Sequence, residues 1–273
     1  MKSISIIGCG WFGLPLAEAL VDDGFNVVGT KRNSESFSLL ESKGITPVAL
    51  DLSQMLNSSD DYSKNHLNDC ATDYLLVNIP PRTRSGNKHY LEELELLLKL
   101  IKPLTYKRII FISTSGVYPD LDRVVDEGDA CQLSNGSELL YTAEQLFLKF
   151  ENACLLRFSG LIGPKRNPGR FFANRDKVDD GNAPVNLVHL DDCIHAVKAV
   201  LKADSVSSIY NICSPHHPTK SEFYSEAIKR LGRVPPVFVS NSAIKKQVDG
   251  SLITRDIDFT YKFDNLYVAI EHC

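Results

Sequence analysis

One stretch near the N-terminus constrains this chain more than any other: SIIGCGWFGLPLAEAL, residues 5–20. A short apolar run ends in Gly8, Gly10 and Gly13, spaced G-x-G-x-x-G, and an apolar helical pattern follows over 13–22. In that spacing each glycine has its own task. Gly8 permits a tight turn out of the strand, Gly10 lets the backbone approach a pyrophosphate, and Gly13 lets the helix pack close to the sheet. The helix N-terminus adds free N–H groups and a positive dipole end. Strand, turn and helix in this order predict a dinucleotide site, with Trp11 and Phe12 in the turn counted among its residues. The alternative is a packing turn that holds no ligand. Cys9 lies inside the turn, where a helix N-terminus can activate a thiol; it reads as a small, silent, partly buried side chain.

The remainder of the first half repeats the same alternation. Strands are predicted at 3–8, 25–30, 46–50, 73–79, 107–113 and 153–158, and helices near 13–22, 34–43, 88–101 and 137–150. The strand runs are short, continuous and apolar, as parallel strands buried on both faces require. The fold class is therefore α/β, a doubly wound parallel sheet with right-handed crossovers. The polar stretch 51–70 reads as a loop or short helix over the sheet edge. After Phe158 the pattern changes. Residues 159–170, rich in Gly, Pro and cations, read as a loop. A helix over 191–202, a strand over 208–212, a helix over 219–231 and a strand over 236–240 then build a small lobe across the strand ends. The expected division is 1–158 for the nucleotide-binding domain and 159–273 for a C-terminal substrate lobe, with about 185–212 returning to the first domain.

Composition closes off several function classes. A net charge of −4 argues against nucleic acid as the main partner. Only Met1 and Lys2 precede the first apolar run, and no apolar segment approaches membrane-spanning length, so a soluble, cytoplasmic protein is expected. The seven cysteines are scattered and form no C-x-x-C pair, which reads as reduced thiols. Cys213 and His216 in CSPHHP lack a second ligand pair, so that stretch reads as a polar loop and no metal is expected.

The end of the second strand speaks to the cofactor. An NAD site carries an acid there for the ribose 2′-OH. This chain has Thr30, Lys31 and Arg32 instead, with the first acid at Glu35. Two cations suit a 2′-phosphate, so NADP(H) is expected and NAD is the second choice. A solvated basic turn is the alternative.

Five stretches in order, GCGWFG, FISTSGVYPD (111–120), LLRFSGLIGP (155–164), VNLVHLDDCIHAV (185–197) and YNICSP (210–215), resemble the landmarks of extended short-chain dehydrogenase/reductases, the NAD(P)-dependent epimerase/dehydratase family. NPGRFF (167–172) ahead of VNLVHLDD resembles its atypical YeeZ-like branch most specifically. The resemblance spans nearly the whole chain and implies a Rossmann domain with a small substrate lobe. It aligns Thr114 with the catalytic hydroxyl, with Ser113 as its neighbour. The Tyr-x-x-x-Lys pair of the superfamily is broken. Tyr141 has Gln145 four residues on; in the register that matches Ala143 and Glu144, Ser137 takes the tyrosine position and Tyr141 the lysine position. Either way the lysine is absent. A free phenol ionises near pH 10, so at neutral pH about one in a thousand is a base. The loss weakens alcohol oxidation more than carbonyl reduction, which needs a proton donor and a well-held acceptor.

By the same resemblance, Asn78 and the Pro80–Pro81 turn pack against the cofactor, and Asp51 is a weaker contact on its adenine. The resemblance also implies that helices 88–101 and 137–150 would form the face of a homodimer, while the sequence leaves the oligomeric state open. Arg82 and Arg84 are candidates for an anion, as are Lys165, Arg166 and Arg170, three cations in six residues beside the predicted cleft. Tyr118 is a candidate for the substrate pocket or a packed aromatic. His189 is a candidate titratable group ahead of a helix that Asp191 or Asp192 would cap. Two functions stay open: an NADP(H)-dependent reductase or epimerase-type enzyme for a small polar, anionic or nucleotide-sugar-like substrate, and a non-catalytic NADP(H)-binding sensor.

Overall fold

Ser3–Ile7 forms β1, with Ile4, Ile6 and Ile7 no more than 1% exposed, as a central strand demands. The structure is a computed structural model describing residues 1–58, 67–82, 86–131, 137–240 and 245–273. The chain continues through α1 (Gly13–Asp22), β2 (Asn26–Lys31), α2 (Phe37–Glu41), β3 (Ile45–Ala49), α3 (Leu52–Asn57), β4 (Tyr74–Val77), α4 (Tyr90–Ile101), β5 (Arg108–Thr114), β6 (Val124–Val125), α5 (Glu138–Phe147) and β7 (Ala153–Phe158). Then come β8 (Gly160–Ile162), β9 (Lys177–Val178), β10 (Leu187–His189), α6 (Leu190–Lys202), β11 (Ile209–Ile212), α7 (Lys220–Arg230), β12 (Val237–Phe238), β13 (Gln247–Val248), α8 (Leu252–Asp256) and α9 (Leu266–Ala269).

The main sheet is parallel and seven-stranded, in the order β11-β7-β5-β4-β1-β2-β3. Ile4 sits opposite Val27 on one side and Tyr74 on the other. After β3 the chain returns past β1 to lay down β4, so the order reverses between β1 and β4. That switch point is where a doubly wound sheet opens a crevice at its strand ends. The fold is Rossmann-like.

The chain forms two compact units: Met1–Ser113 with Glu138–Leu156, and Thr114–Ser137 with Arg157–Cys273. Within the second, three short parallel ladders join β8 to β10, β9 to β12 and β6 to β13. Its apolar core gathers Ile162, Leu187, Phe223, Phe263, Leu266 and Ile270. Helix α7 starts on a reciprocal cap between Thr219 and Glu222.

Several local expectations change. Residues 159–170 are not all loop: Gly160–Ile162 is β8, and Pro168–Phe171 is a 3-10 turn. The strand forms because a partner 27 residues away, Leu187 opposite Gly160, supplies the ladder. The strand expected over 236–240 shrinks to Val237–Phe238, since the prolines before it have no N–H to pair. The helix expected over 34–43 becomes a 3-10 turn at Ser34–Ser36 followed by α2. No helix among the described residues is long and apolar enough to cross a membrane.

Candidate functional site

The glycine turn lies at the switch point. Gly8 has φ +104°, and a Cβ there would stand 2.4 Å from the Asn78 carbonyl oxygen. A Cβ on Gly13 would stand 2.3 Å from the Gly8 carbonyl oxygen. Both glycines are thus demanded by the protein's own backbone. Gly10 differs: it is exposed, and an added Cβ would meet nothing within 4 Å. The Gly8 N–H donates to Thr30 Oγ1 at 2.9 Å, the Cys9 N–H to the Thr30 carbonyl at 3.1 Å, and Asn78 Nδ2 to the Gly8 carbonyl at 3.1 Å. Helix α1 begins at Gly13, and its N-cap residue, Phe12, has no side-chain oxygen to cap the first N–H groups. Phe12 is buried and Trp11 half-buried. Burial pushes the Cys9 thiol up to about 12, so it is inert at neutral pH.

At the end of β2, Thr30 is 3% exposed and its hydroxyl is spent on the turn. Lys31 is half-buried and Arg32 exposed. Asp51 caps α3, accepting from the Gln54 N–H at 3.1 Å.

The segment after β4 is pinned by α4. Pro80 is exposed. Tyr90 donates its hydroxyl to the Ile79 carbonyl at 3.0 Å. Arg82, at φ +51°, pairs with the buried carboxylate of Glu93 at 3.2 Å. Its guanidinium is therefore engaged inside the protein and not simply displayed to an anion. Arg84 lies outside the described residues.

Tyr141 is half-buried on α5, and Gln145 stands one turn on. On the same helix Glu144 is fully buried and accepts from Ser113 Oγ at 2.5 Å. In the second unit, half-buried Thr114 accepts the Gly116 N–H on its Oγ1 at 3.2 Å, capping a 3-10 turn.

Two substrate candidates turn inward. Tyr118 is 2% exposed; its hydroxyl donates to Asn211 Oδ1 at 2.6 Å and accepts from Arg157 Nη1 at 2.9 Å. Burial pushes its phenol to about 12. Tyr118 is a packed aromatic with its hydroxyl bonded. His189 is 1% exposed. Its Nδ1 accepts the Asp191 N–H at 3.1 Å, and its Nε2 faces the His272 carbonyl at 3.3 Å. Burial lowers its pKa, so the ring is neutral and carries its proton on Nε2. The cap of α6 is thus His189 itself, not Asp191 or Asp192. Asp192 is buried and accepts the Lys262 and Phe263 N–H groups instead. Lys165 (φ +64°), Arg166 and Arg170 are exposed on the segment after β8. Cys213 is buried and His216 accepts the Leu266 N–H, so CSPHHP is spent on packing. Among the described residues no group of three or more His, Cys, Asp or Glu is arranged to hold a metal ion.

Sequence reading missed Glu93, Glu144 and Arg157. A usable signal existed for each: a charge on a stripe that is otherwise apolar. Glu93 shares a face with Tyr90, Leu94 and Leu97, Glu144 with Ala143 and Phe147, and Arg157 interrupts the apolar run of β7.

The same Rossmann-like fold is found in solved structures of nucleotide-sugar epimerases. UDP-glucuronic acid 4-epimerase from Bacillus cereus, solved with NAD, superposes with TM-score 0.77 at 19% identity, over 99% of this chain and 97% of that one. UDP-glucose 4-epimerase from Thermotoga maritima, solved with UDP-glucose, gives 0.74 at 16% identity, over 99% and 98%. No protein-family model matches the chain. Protein YeeZ of Escherichia coli K12 is 35% identical over 279 residues, covering 99% of this chain and all of that protein. The chain belongs to the YeeZ family.

Proposed function

We propose that this chain is an NADP(H)-binding oxidoreductase or epimerase-type enzyme acting on a small polar, anionic or nucleotide-sugar-like substrate. The observation that carries the reading is Gly10. Gly8 and Gly13 answer to the protein's own backbone, whereas no atom of the described residues requires a glycine at 10. A bare, exposed backbone at the mouth of α1 suits close approach of a pyrophosphate. Lys31 and Arg32, with no acid among them, support NADP(H) over NAD. The residues present fit the cofactor, which when bound supplies or accepts a hydride.

The chain's own part is binding, orientation and proton transfer. Thr114 uses its oxygen lone pair on Gly116, which leaves its proton to donate to a substrate oxygen. Tyr141 serves as a proton-donating phenol, and uncharged Gln145 gives no support to a base there. Reduction is the favoured direction. The epimerases of B. cereus and T. maritima, solved with UDP-glucuronic acid and UDP-glucose, support a nucleotide-sugar class of substrate. The missing lysine favours a second reading, a non-catalytic NADP(H)-binding sensor. Two copies would pair through α4 and α5, the face that the resemblance to extended short-chain dehydrogenase/reductases implies.

Calorimetry with NADPH and NADH on the wild type and Arg32→Asp tests the cofactor. Tighter NADPH binding, weakened by about tenfold in the variant, is expected. NADPH absorbance with a panel of UDP-sugars and carbonyl compounds then separates the two functions. Turnover that falls in Thr114→Val supports the enzyme; tight binding without turnover supports the sensor.

A further inference from the structure

Glu93 is a carboxylate on the apolar face of α4, and its side chain is 1% exposed. It accepts from Ser53 Oγ in the first turn of α3, from Arg82 Nη2 at 3.2 and 3.4 Å, and from Asn87 Nδ2 at 3.2 Å. Three donors from two separate segments therefore meet on one side chain: one follows β3, the other two follow β4. One turn earlier, Tyr90 holds the Ile79 carbonyl, and Ile79 adjoins the Asn78 that ties down Gly8.

Fold stability is a poor explanation for this cluster. A buried ion pair contributes little against an apolar residue of similar size, and Leu94 and Leu97 show what the same helix face otherwise carries. Arg82 sits in the left-handed region at φ +51°, which disfavours a residue with a Cβ. Its Nε is buried with no hydrogen-bond partner among the described residues. A buried charge, a strained residue and an unpartnered donor converge on the segment after the switch-point strand. Unfavourable features of this sort collect where a site must be held in one shape.

We infer that Glu93 is a positioning residue of the dinucleotide site. It cross-braces the segments after β3 and β4, and so fixes the spacing of the two walls around the adenosine half. That half is expected toward β2 and β3, because the ribose 2′ position is read at the end of β2. The inference rests on the dinucleotide-binding reading above. Replacing Glu93 with Gln would turn one acceptor into a donor facing Arg82 and Asn87, and Ser53→Ala would cut the β3 side of the brace alone.

The test is calorimetry with NADPH and with 2′,5′-ADP, on the wild type, Glu93→Gln, Ser53→Ala and the double variant, with thermal unfolding of each. Each single variant is expected to weaken both ligands by about fivefold or more, by the same factor, since one hydrogen bond to a charge is at stake. The double variant should be no weaker than Glu93→Gln, because both cut the same brace. Ser53→Ala keeps the test alive if Glu93→Gln fails to fold. Wild type that binds both ligands, with variants that bind within about twofold of it at any melting temperature, overturns the inference. Wild type that binds neither ligand overturns the dinucleotide reading itself, and the brace falls with it.

Discussion

Asn78, at the end of β4, donates its side-chain amide to the carbonyl oxygen of Gly8, at the end of β1, across 3.1 Å. The bond spans the point where the strand order reverses. It fixes one side of the glycine turn, and Thr30 fixes the other through the Gly8 N–H. The turn's shape is thus set by three adjacent strands before any ligand arrives.

Asn78→Ala removes that amide and leaves the Gly8 carbonyl without it. A cost of about 1 kcal/mol in unfolding free energy is expected, read by urea denaturation. Affinity for NADPH should fall by about fivefold or more, since the turn loses a support on its ligand side.

Two glycines of the turn should separate cleanly. In Gly13→Ala the new methyl would stand 2.3 Å from a backbone oxygen, so a loss of about 1–3 kcal/mol is expected. Gly10→Ala meets no protein atom and should change stability by less than about 0.5 kcal/mol. Its effect should appear in NADPH affinity alone. Equal affinity in Gly10→Ala and wild type would remove the strongest support for the pyrophosphate.

Burial lowers the pKa of His189, whereas the unfolded chain titrates it near 6.5. Below that value the unfolded state takes up the proton first. Its share of stability is therefore full above about pH 6.5 and is lost as the pH falls through the lowered folded value. Asp192, pushed up to about 6 by burial, works in the opposite sense: its unfolded value is near 4, so stability declines as pH rises between the two. Urea denaturation of wild type and His189→Asn across this range isolates the histidine. The gap between the two proteins should narrow toward acid.

Tyr118→Phe would strip a partner from both Asn211 Oδ1 and the buried Arg157 guanidinium. A loss of about 1–3 kcal/mol is expected from the groups left unsatisfied, measured by thermal or urea unfolding. An unchanged melting temperature would contradict a structural role for this tyrosine.

Thiol reactivity should follow burial. Cys131 is exposed, whereas Cys9, Cys70, Cys154, Cys193 and Cys213 are buried. Burial also raises the Cys70 thiol to about 11 and Cys213 to about 12. A chromogenic disulfide reagent on the folded protein should titrate Cys131 first, and the buried five only after denaturant is added. Rapid modification of Cys9 in the native state would contradict its packing beneath Gly29.

Much of the architecture could be read from local pattern. The six strands expected in the first half all form, with ends shifted by one or two residues, and α1 begins at Gly13 and ends at Asp22. The second unit was harder. Its ladders are two or three residues long and join segments far apart in sequence, such as Val124–Val125 with Gln247–Val248. So short a strand has no periodicity of its own.

Sequence alone determined the alternation of apolar strands and amphipathic helices, and with it the doubly wound sheet, because burial on both faces imprints itself residue by residue. It also displayed the glycine spacing, whose reason at Gly8, a positive φ and a backbone contact at 2.4 Å with Asn78, only the tertiary structure supplied. Tertiary structure decided what the polar residues do. Tyr118 was drawn in to Asn211 and His189 to the His272 carbonyl, Arg82 was bound to Glu93, and Asn78 was set against Gly8. Each of those pairings joins residues from different elements, and the partner of a hydrogen bond is chosen by proximity in space, which no local pattern encodes.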